Sequence, residues 1–252
     1  MRLSIRGGAA LAVAAVSSVL LLQAPVQAAA PPTAGWVLGY GFESVSGGVV
    51  RDASPSGLTG ALRGTPLPLL AAGRSGHGQA ISLTSTGRQY VDVPDAPALD
   101  VNRYTLAAWV RYVPTVHDDR WEIIEKAGSY WMNIRTDTRK LRVGGFYGGC
   151  LNPNWHYVDS NASIPARTWV HVASTYDGAT LRIYVNGVLD RSMAVSGKTC
   201  VKAEPLTIGA KNKTTPPPTL EAFFDGRIDD FRVYDRALTA AQIKAVRAAA
   251  TP

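Results

Sequence analysis

The stretch TWVHVASTYDGATLRIYVNGVLD, Thr168 to Asp190, constrains the fold more than any other part of the chain. Two runs rich in β-branched and aromatic residues, 169–176 and 181–185, are separated by Asp177-Gly178, and Asn186-Gly187 follows the second. Both dipeptides supply the positive-φ positions of tight hairpins, so the stretch predicts three successive antiparallel strands. Leu181, Ile183 and Val185 fall on one face of the second strand, with Arg182, Tyr184 and Asn186 on the other. A sheet that is apolar on one side needs a second sheet to cover it.

The same signature recurs along the chain. Residues 36–42, 90–93 (closed by Pro94), 104–113, 121–125, 130–134, 205–209 and 226–234 predict strands, and another begins at Lys140. Residues 44–80, dense in Gly, Ser and Pro, predict loops and brief edge strands. The segment GGFYGGCLNPNWHYVD predicts a structured loop or bulged hairpin, and Lys211 to Thr219 a proline-rich surface loop. One helix is expected over 240–250, with Thr239 and Gln242 as a capping box and Leu238 and Ile243 as a hydrophobic staple. No repeat of 20–50 residues is present. The fold class is all-β, a two-sheet antiparallel β-sandwich or jelly roll with a short C-terminal helix.

Arg2 and Arg6 precede an apolar run from Ala9 to Leu22, and Val26-Gln27-Ala28 ends it with small residues. This pattern predicts a signal peptide over residues 1–28, and hence a secreted, extracellular protein with no transmembrane anchor after cleavage. About 220 residues remain, 29–252, enough for one sandwich domain and one core. The formal charge of +7 falls to +5, because two basic residues leave with the leader and no acidic ones do. The excess is spread without a dense Lys/Arg block, which argues against nucleic acid as a partner. The only cysteines, Cys150 and Cys200, predict one disulfide in an oxidising compartment, and with singly scattered histidines they do not make a zinc site.

YTLAAWVRY, TWVHVASTYDGATLRIYVNGVLD, PLTIGAKN and FFDGRIDDFRVYDRALTAAQIKAV, in that order, resemble the laminin G-like jelly rolls of the concanavalin A-like lectin/glucanase superfamily. ISLTSTGRQYVDVPD and GFESVSGGVVRDASPSG add to the likeness. The resemblance implies the sandwich fold. It also implies a role among lectins, glycosidases, lyases and adhesion modules, since one fold hosts all of these. Relatives hold a structural calcium on an opening acidic residue, a glycine carbonyl and the aspartate of a final Ile-Asp strand. Glu43 and Asp229 match the two acidic positions, and Asp52 in the Asp-x-Ser loop is the third candidate for Ca2+.

Glycoside hydrolysis needs two carboxylates flanking one bond. Glu122 and Glu125 are three apart and point to opposite faces of a regular strand; adjacent Asp229 and Asp230 also diverge. A lyase could use His156-Tyr157 beside Asn154, with Arg135, Arg139 and Arg142 nearby. His171, alternating with Trp169 and Ala173, reads as a core histidine hydrogen-bonded to a neighbour. Sugar binding needs flat aromatic faces with polar groups at the rim. Trp36, Trp109 and Trp169 sit in predicted strands and are assigned to the core. Trp121, Trp131 and Trp155, with Tyr147, Asn154, His156 and Tyr157, are the ligand-binding candidates. The expectation is a secreted, monomeric, non-catalytic module for an extracellular glycan or cell-surface component, contacting it through loops at 117–160 and 211–220. A polysaccharide lyase or glycoside hydrolase, and a protein-binding adhesion module, are the alternatives.

Overall fold

The computed structural model describes residues 29–115, 118–151, 154–213 and 219–251. The leader read at 1–28, His117 in the expected contact loop and the centre of the proline-rich loop lie outside the described residues.

Period-two alternation, punctuated by glycine and Asx turns, divides the chain into short strands. In order they are β1 (Trp36–Tyr40), β2 (Val45–Ser46), β3 (Val49–Val50), β4 (Gly60–Arg63), β5 (Leu69–Ala72), β6 (Gln79–Leu83) and β7 (Tyr90–Val93). Then come β8 (Tyr104–Tyr112), β9 (Arg120–Lys126), β10 (Tyr130–Arg135), β11 (Lys140–Tyr147), β12 (Asn154–Ser163), β13 (Val170–Tyr176) and β14 (Thr180–Val185). The last are β15 (Val188–Ala194), β16 (Leu206–Ile208), β17 (Lys211–Lys213), β18 (Thr219–Glu221) and β19 (Gly226–Tyr234), followed by helix α1 (Ala240–Ala248).

The strands form two large sheets. One runs β15-β14-β13-β8-β19-β6-β5, with β1 also paired to β19; the other runs β12-β11-β10-β9-β16-β7-β4-β3-β2. The meander β13-β14-β15 is as expected, and its second turn has Asn186 (φ 51°) and Gly187 (φ 79°) both left-handed, as a two-residue hairpin requires. Inward residues of both sheets, among them Leu106, Val110, Val172, Ile183, Met132, Ile134, Leu141 and Val143, make one continuous core. Tyr104, Tyr130, Tyr147 and Tyr176 are stacked inside one end of it, and the Tyr104 and Tyr147 hydroxyls are 2.8 Å apart.

The capping box on α1 forms as predicted. Ile243 and Val246 of the helix, with Leu238 just ahead of it, pack onto Ala107, Ala173, Tyr184 and Tyr234. The helix therefore covers part of the outer face of the first sheet.

Several expectations are corrected or narrowed. For the glycine-rich segment after Lys140, the hairpin alternative is the one that forms, β11–β12, with a register shift between Lys140 and Arg142. Lys211 to Thr219 is not all loop, because β17 and β18 pair as a small hairpin. Of the three tryptophans assigned to the core, only Trp109 is buried; Trp36 and Trp169 are half-buried, and Trp169 precedes its strand. His171 is buried edge-on to Trp109, but neither ring nitrogen has a hydrogen-bond partner among the described residues. Burial, with Arg247, Arg74 and Arg232 adding to it, pushes its pKa down to about 3, so the ring is neutral. The expected disulfide joins Cys150 to Cys200.

Candidate functional site

The exposed aromatic side chains collect on the outer face of the nine-stranded sheet. The register of β10, β11 and β12 sets Trp131 opposite Gly144 and Gly144 opposite Tyr157, while Trp155 stands opposite Phe146. Gly144 is required there: a Cβ on it would lie 2.4 Å from Cζ2 of Trp131. With that room the three rings cluster, their centroids 4.8 Å apart for Trp155–Tyr157, 6.4 Å for Trp131–Trp155 and 6.5 Å for Trp131–Tyr157. Trp155 is 52% exposed and Tyr157 38%. Arg142 lies over the Tyr157 ring and donates two hydrogen bonds to Asp159, which fixes the outer edge of the cluster.

This aromatic wall bounds a groove of about 520 Å3. Glu122 and Glu125 line it from β9, and Lys211, Asn212 and Lys213 from β17, with Lys202 and Arg120 also at its walls. The expected divergence of the two glutamates is overturned by a β-bulge. Ile124 pairs with Met132 and Glu122 with Asn133, leaving Ile123 unpaired, so both isoleucines enter the core and both glutamates face outward.

Asn133 donates to Glu122 Oε2 at 3.3 Å, and the Asn212 amide donates to Glu125 Oε2 at 3.0 Å. Glu122 Oε1 and Asn133 Oδ1 are buried without a hydrogen-bond partner among the described residues. Burial pushes the Glu125 carboxyl up to about 7 against the pull of Lys211. Burial raises Glu122 well above the ordinary carboxylate range, and the charge of Glu125 adds to the rise.

The other candidates separate. Trp121 and Tyr147 are core residues: Trp121 stacks on Tyr112 at 4.8 Å, and Tyr147 is fully buried in the tyrosine cluster. Both occupy inward positions of their strands, where no ligand in the groove reaches them. Asn154 and His156 alternate with Trp155 and Tyr157 and so take the opposite face of β12, with His156 beside Tyr147. The lyase arrangement of His156 with Tyr157 is therefore not assembled. Arg135 and Arg142 are engaged by Asp119, Asp137 and Asp159. Sequence reasoning missed Glu122, Glu125, Lys202, Lys211, Asn212 and Lys213 as groove residues. The paired isoleucines of WEIIE are the one signal of the bulge; the lysines carry none.

The calcium candidates divide as well. Asp52 accepts four hydrogen bonds, from the amides of Gly39, Ser54 and Leu58 and from the Ser54 hydroxyl, which occupies its acceptor sites. Glu43 accepts from the Gln79 amide at 2.8 Å. Asp229 accepts the Asp230 amide at Oδ1, while its buried Oδ2 has no partner among the described residues. Burial pushes Asp229 up to about 8, and the charges of Asp230 and Glu43 add to it. A second bulge, with Asp230 at φ 46°, keeps Asp229 and Asp230 close, correcting their expected divergence, and Asp230 pairs with Arg74 at 2.6 Å. Among the described residues no three His, Cys, Asp or Glu side chains converge on a metal position. Of the three candidates, Asp229 keeps a buried carboxylate oxygen without a partner among the described residues, whereas Asp52 has its acceptor sites filled.

The fold recurs in solved structures. The binding domain of a paraclostridial mosquitocidal protein superposes with a TM-score of 0.65 at 15% identity, covering 84% of this chain and 52% of that one. Domain 4 of an extracellular arabinanase from Geobacillus stearothermophilus, solved in complex with arabinotriose, gives 0.61 at 20% identity over 85% and 98% of the two chains. The receptor-binding domain of a mosaic botulinum neurotoxin of serotype C/D gives 0.62 at 17% identity over 86% and 51%. The chain thus spans about half the length of the toxin binding domains it matches. No curated protein matches it in sequence. Among the described residues no helix is long and apolar enough to cross a membrane. Residues 85–244, more than half of the chain, match the Laminin_G_3 model, so the protein is a laminin G-like member of the concanavalin A-like lectin/glucanase superfamily.

Proposed function

We propose that this chain is a secreted carbohydrate-recognition module that takes a glycan in the groove between Trp155 and the β17–β18 hairpin. The exposed, clustered rings of Trp155 and Tyr157, tilted against each other beside Trp131, carry the reading. Aromatic faces match the C–H surfaces of pyranose and furanose rings, and the polar groups of Asn212 and Lys211 can fix hydroxyls. The arabinanase domain solved with arabinotriose supports sugar binding on this fold, and the toxin domains support receptor binding. Glycan-array screening followed by calorimetry tests the reading. Trp155→Ala and Tyr157→Ala are expected to weaken the best ligand about tenfold or more, at unchanged folding. A silent array, with capture of a surface protein instead, would transfer the groove to the adhesion reading.

The bulge on β9 favours a second reading, glycoside hydrolysis. Two carboxyls on one face, one titrating near 7, are the kind of pair that protonates a glycosidic oxygen and assists water or sugar at the anomeric carbon. Reducing-sugar release from a polysaccharide panel, lost in Glu122→Gln and Glu125→Gln, would establish turnover. Its absence with binding intact leaves recognition alone.

A structural calcium at Glu43 and Asp229 is part of the same proposal. The unpartnered Oδ2 of Asp229 supports it, since a divalent cation would offset the burial of that carboxyl. Oxygen ligands suit Ca2+.

A further inference from the structure

Two further depressions lie on the sheet that carries the aromatic groove. One, about 190 Å3, lies between Tyr90, Asp92 and Thr207 and the hairpin residues Asn212 and Leu220. Asn212 also lines the aromatic groove, so the two adjoin. The other, about 420 Å3, shares Tyr90 and Leu220 with the first and ends at Arg63, Arg88 and Phe223. The three form one track around the β17–β18 hairpin. It crosses the strand order β12-β11-β10-β9-β16-β7-β4. Six interstrand steps at about 4.8 Å each span roughly 29 Å, several times the width of one sugar ring.

The far end repeats the chemistry of the near end. Arg88 lies over the Phe223 ring, 4.8 Å from its centroid, and Tyr90 packs at 6.4 Å from the same ring. Positive charge gathers at the two stations, while the middle depression carries Asp92 as its one charged lining residue. Lys202 and Arg88 have no carboxylate at ion-pair distance among the described residues; Lys211 and Lys213 share the single carboxylate of Glu221. Arg63 reaches Asp92 only at 3.5 Å from a largely exposed side chain. The acids of the near groove, Glu122 and Glu125, are buried, which disfavours their charged forms. A nucleic acid is also a linear polyanion, but the basic residues here form a sparse line without the dense patch that phosphate backbones select.

We infer that the ligand is a linear anionic polysaccharide lying along the whole track, held by Trp131, Trp155 and Tyr157 at one end and by Arg63, Arg88 and Phe223 at the other. This rests on the carbohydrate reading above and adds length and charge to it. Uronate carboxylates or sulfate esters supply the same charge, and the test separates them.

The experiment is affinity electrophoresis and calorimetry of the full chain against polygalacturonate, alginate, chondroitin sulfate, neutral arabinan and a thymidine oligonucleotide. Size-fractionated oligomers of the best polymer follow. At least one acidic polysaccharide is expected to bind, more tightly as its oligomers lengthen from two to about six residues. Arg63→Gln/Arg88→Gln, which removes charge but keeps the stems, is expected to weaken the long oligomer about tenfold, leaving the short one and the melting temperature unchanged. Trp155→Ala is expected to weaken both. Binding of neutral arabinan alone, abolished by Trp155→Ala, would overturn this inference and leave the carbohydrate reading standing. An affinity that does not grow with length, or equal binding of the oligonucleotide, would also overturn it. No polysaccharide binding at all would remove both readings.

Discussion

Glu122 and Glu125 are three residues apart on β9 and yet face the same side, because Ile123 and Ile124 both turn into the core between them. The bulge brings two acids into one buried setting where neither ionises at its ordinary pKa. In the unfolded chain Glu125 titrates near 4.5, and in the folded one near 7. The folded state therefore binds the proton more tightly. The stabilisation this gives is fully present below about pH 4.5 and is lost as the pH rises through about 7. Burial shifts Glu122 in the same direction, so its contribution has the same sign. Denaturant unfolding across pH 4.5 to 8 is expected to show falling stability, and Glu125→Gln to flatten the fall. An identical slope in the variant would remove the pair as its cause.

The close approach of Trp131 to Gly144 makes that glycine the most sensitive position of the aromatic wall. An added Cβ meets the indole at 2.4 Å and the His156 carbonyl oxygen at 2.6 Å. The carbonyl is backbone and cannot swing aside. Gly144→Ala is expected to cost about 1–3 kcal/mol of stability through overpacking. It should also weaken ligand binding through displacement of Trp131. A variant that melts with the parent and binds normally would mean that β11 shifts freely, contrary to its pairing on both sides.

Much of the fold is legible in the sequence because its strands follow local rules. The Asn-Gly turn, the alternation of β8 and β14 and the capping box on α1 each depend on residues close in the chain. The last strand is read to the residue, Gly226 to Tyr234, although a bulge at Asp230 interrupts its alternation. The groove was only half legible. Trp155 and Tyr157 stood out as aromatics that alternation did not explain. Trp121 and Tyr147 looked the same in sequence but fall on inward positions, a difference set by register with strands elsewhere in the chain. The carboxyl pair was hidden by the bulge, which inverts the facing of every residue beyond it.

Asp52 and Asp229 are expected to respond differently to substitution although both were candidates for one metal. Asp52→Ala strips acceptors from three backbone amides and the Ser54 hydroxyl and should destabilise the fold by roughly 3 kcal/mol or more. Its variant should still lose melting temperature on chelation. Asp229→Asn removes a buried carboxyl raised by Asp230 and Glu43, so it should stabilise the calcium-free protein near neutral pH and abolish any response to chelator. Scanning calorimetry with excess EGTA and with added Ca2+ reads both. A parent protein indifferent to chelator would exclude a structural calcium.

The disulfide is expected to stabilise the fold without shaping the groove. Cys150 and Cys200 are 50 residues apart, so closing their loop is worth about 4 kcal/mol in the chain-entropy model. The geometry it fastens is also held by backbone bonds. The Cys200 amide donates to Phe146 O at 2.8 Å, the Gly148 amide to Lys198 O at 2.9 Å, and Tyr147 bridges to Thr199. Those contacts fix the end of β11, and hence Trp155 and Tyr157 across from it, whether or not the sulfurs are joined. The Cys150→Ser/Cys200→Ser variant should unfold at lower denaturant by an amount matching the lost loop closure. While folded it should bind its glycan within about twofold of the parent. A large loss of affinity at low temperature, with the sheet spectrum intact, would show instead that the bridge orients the aromatic wall.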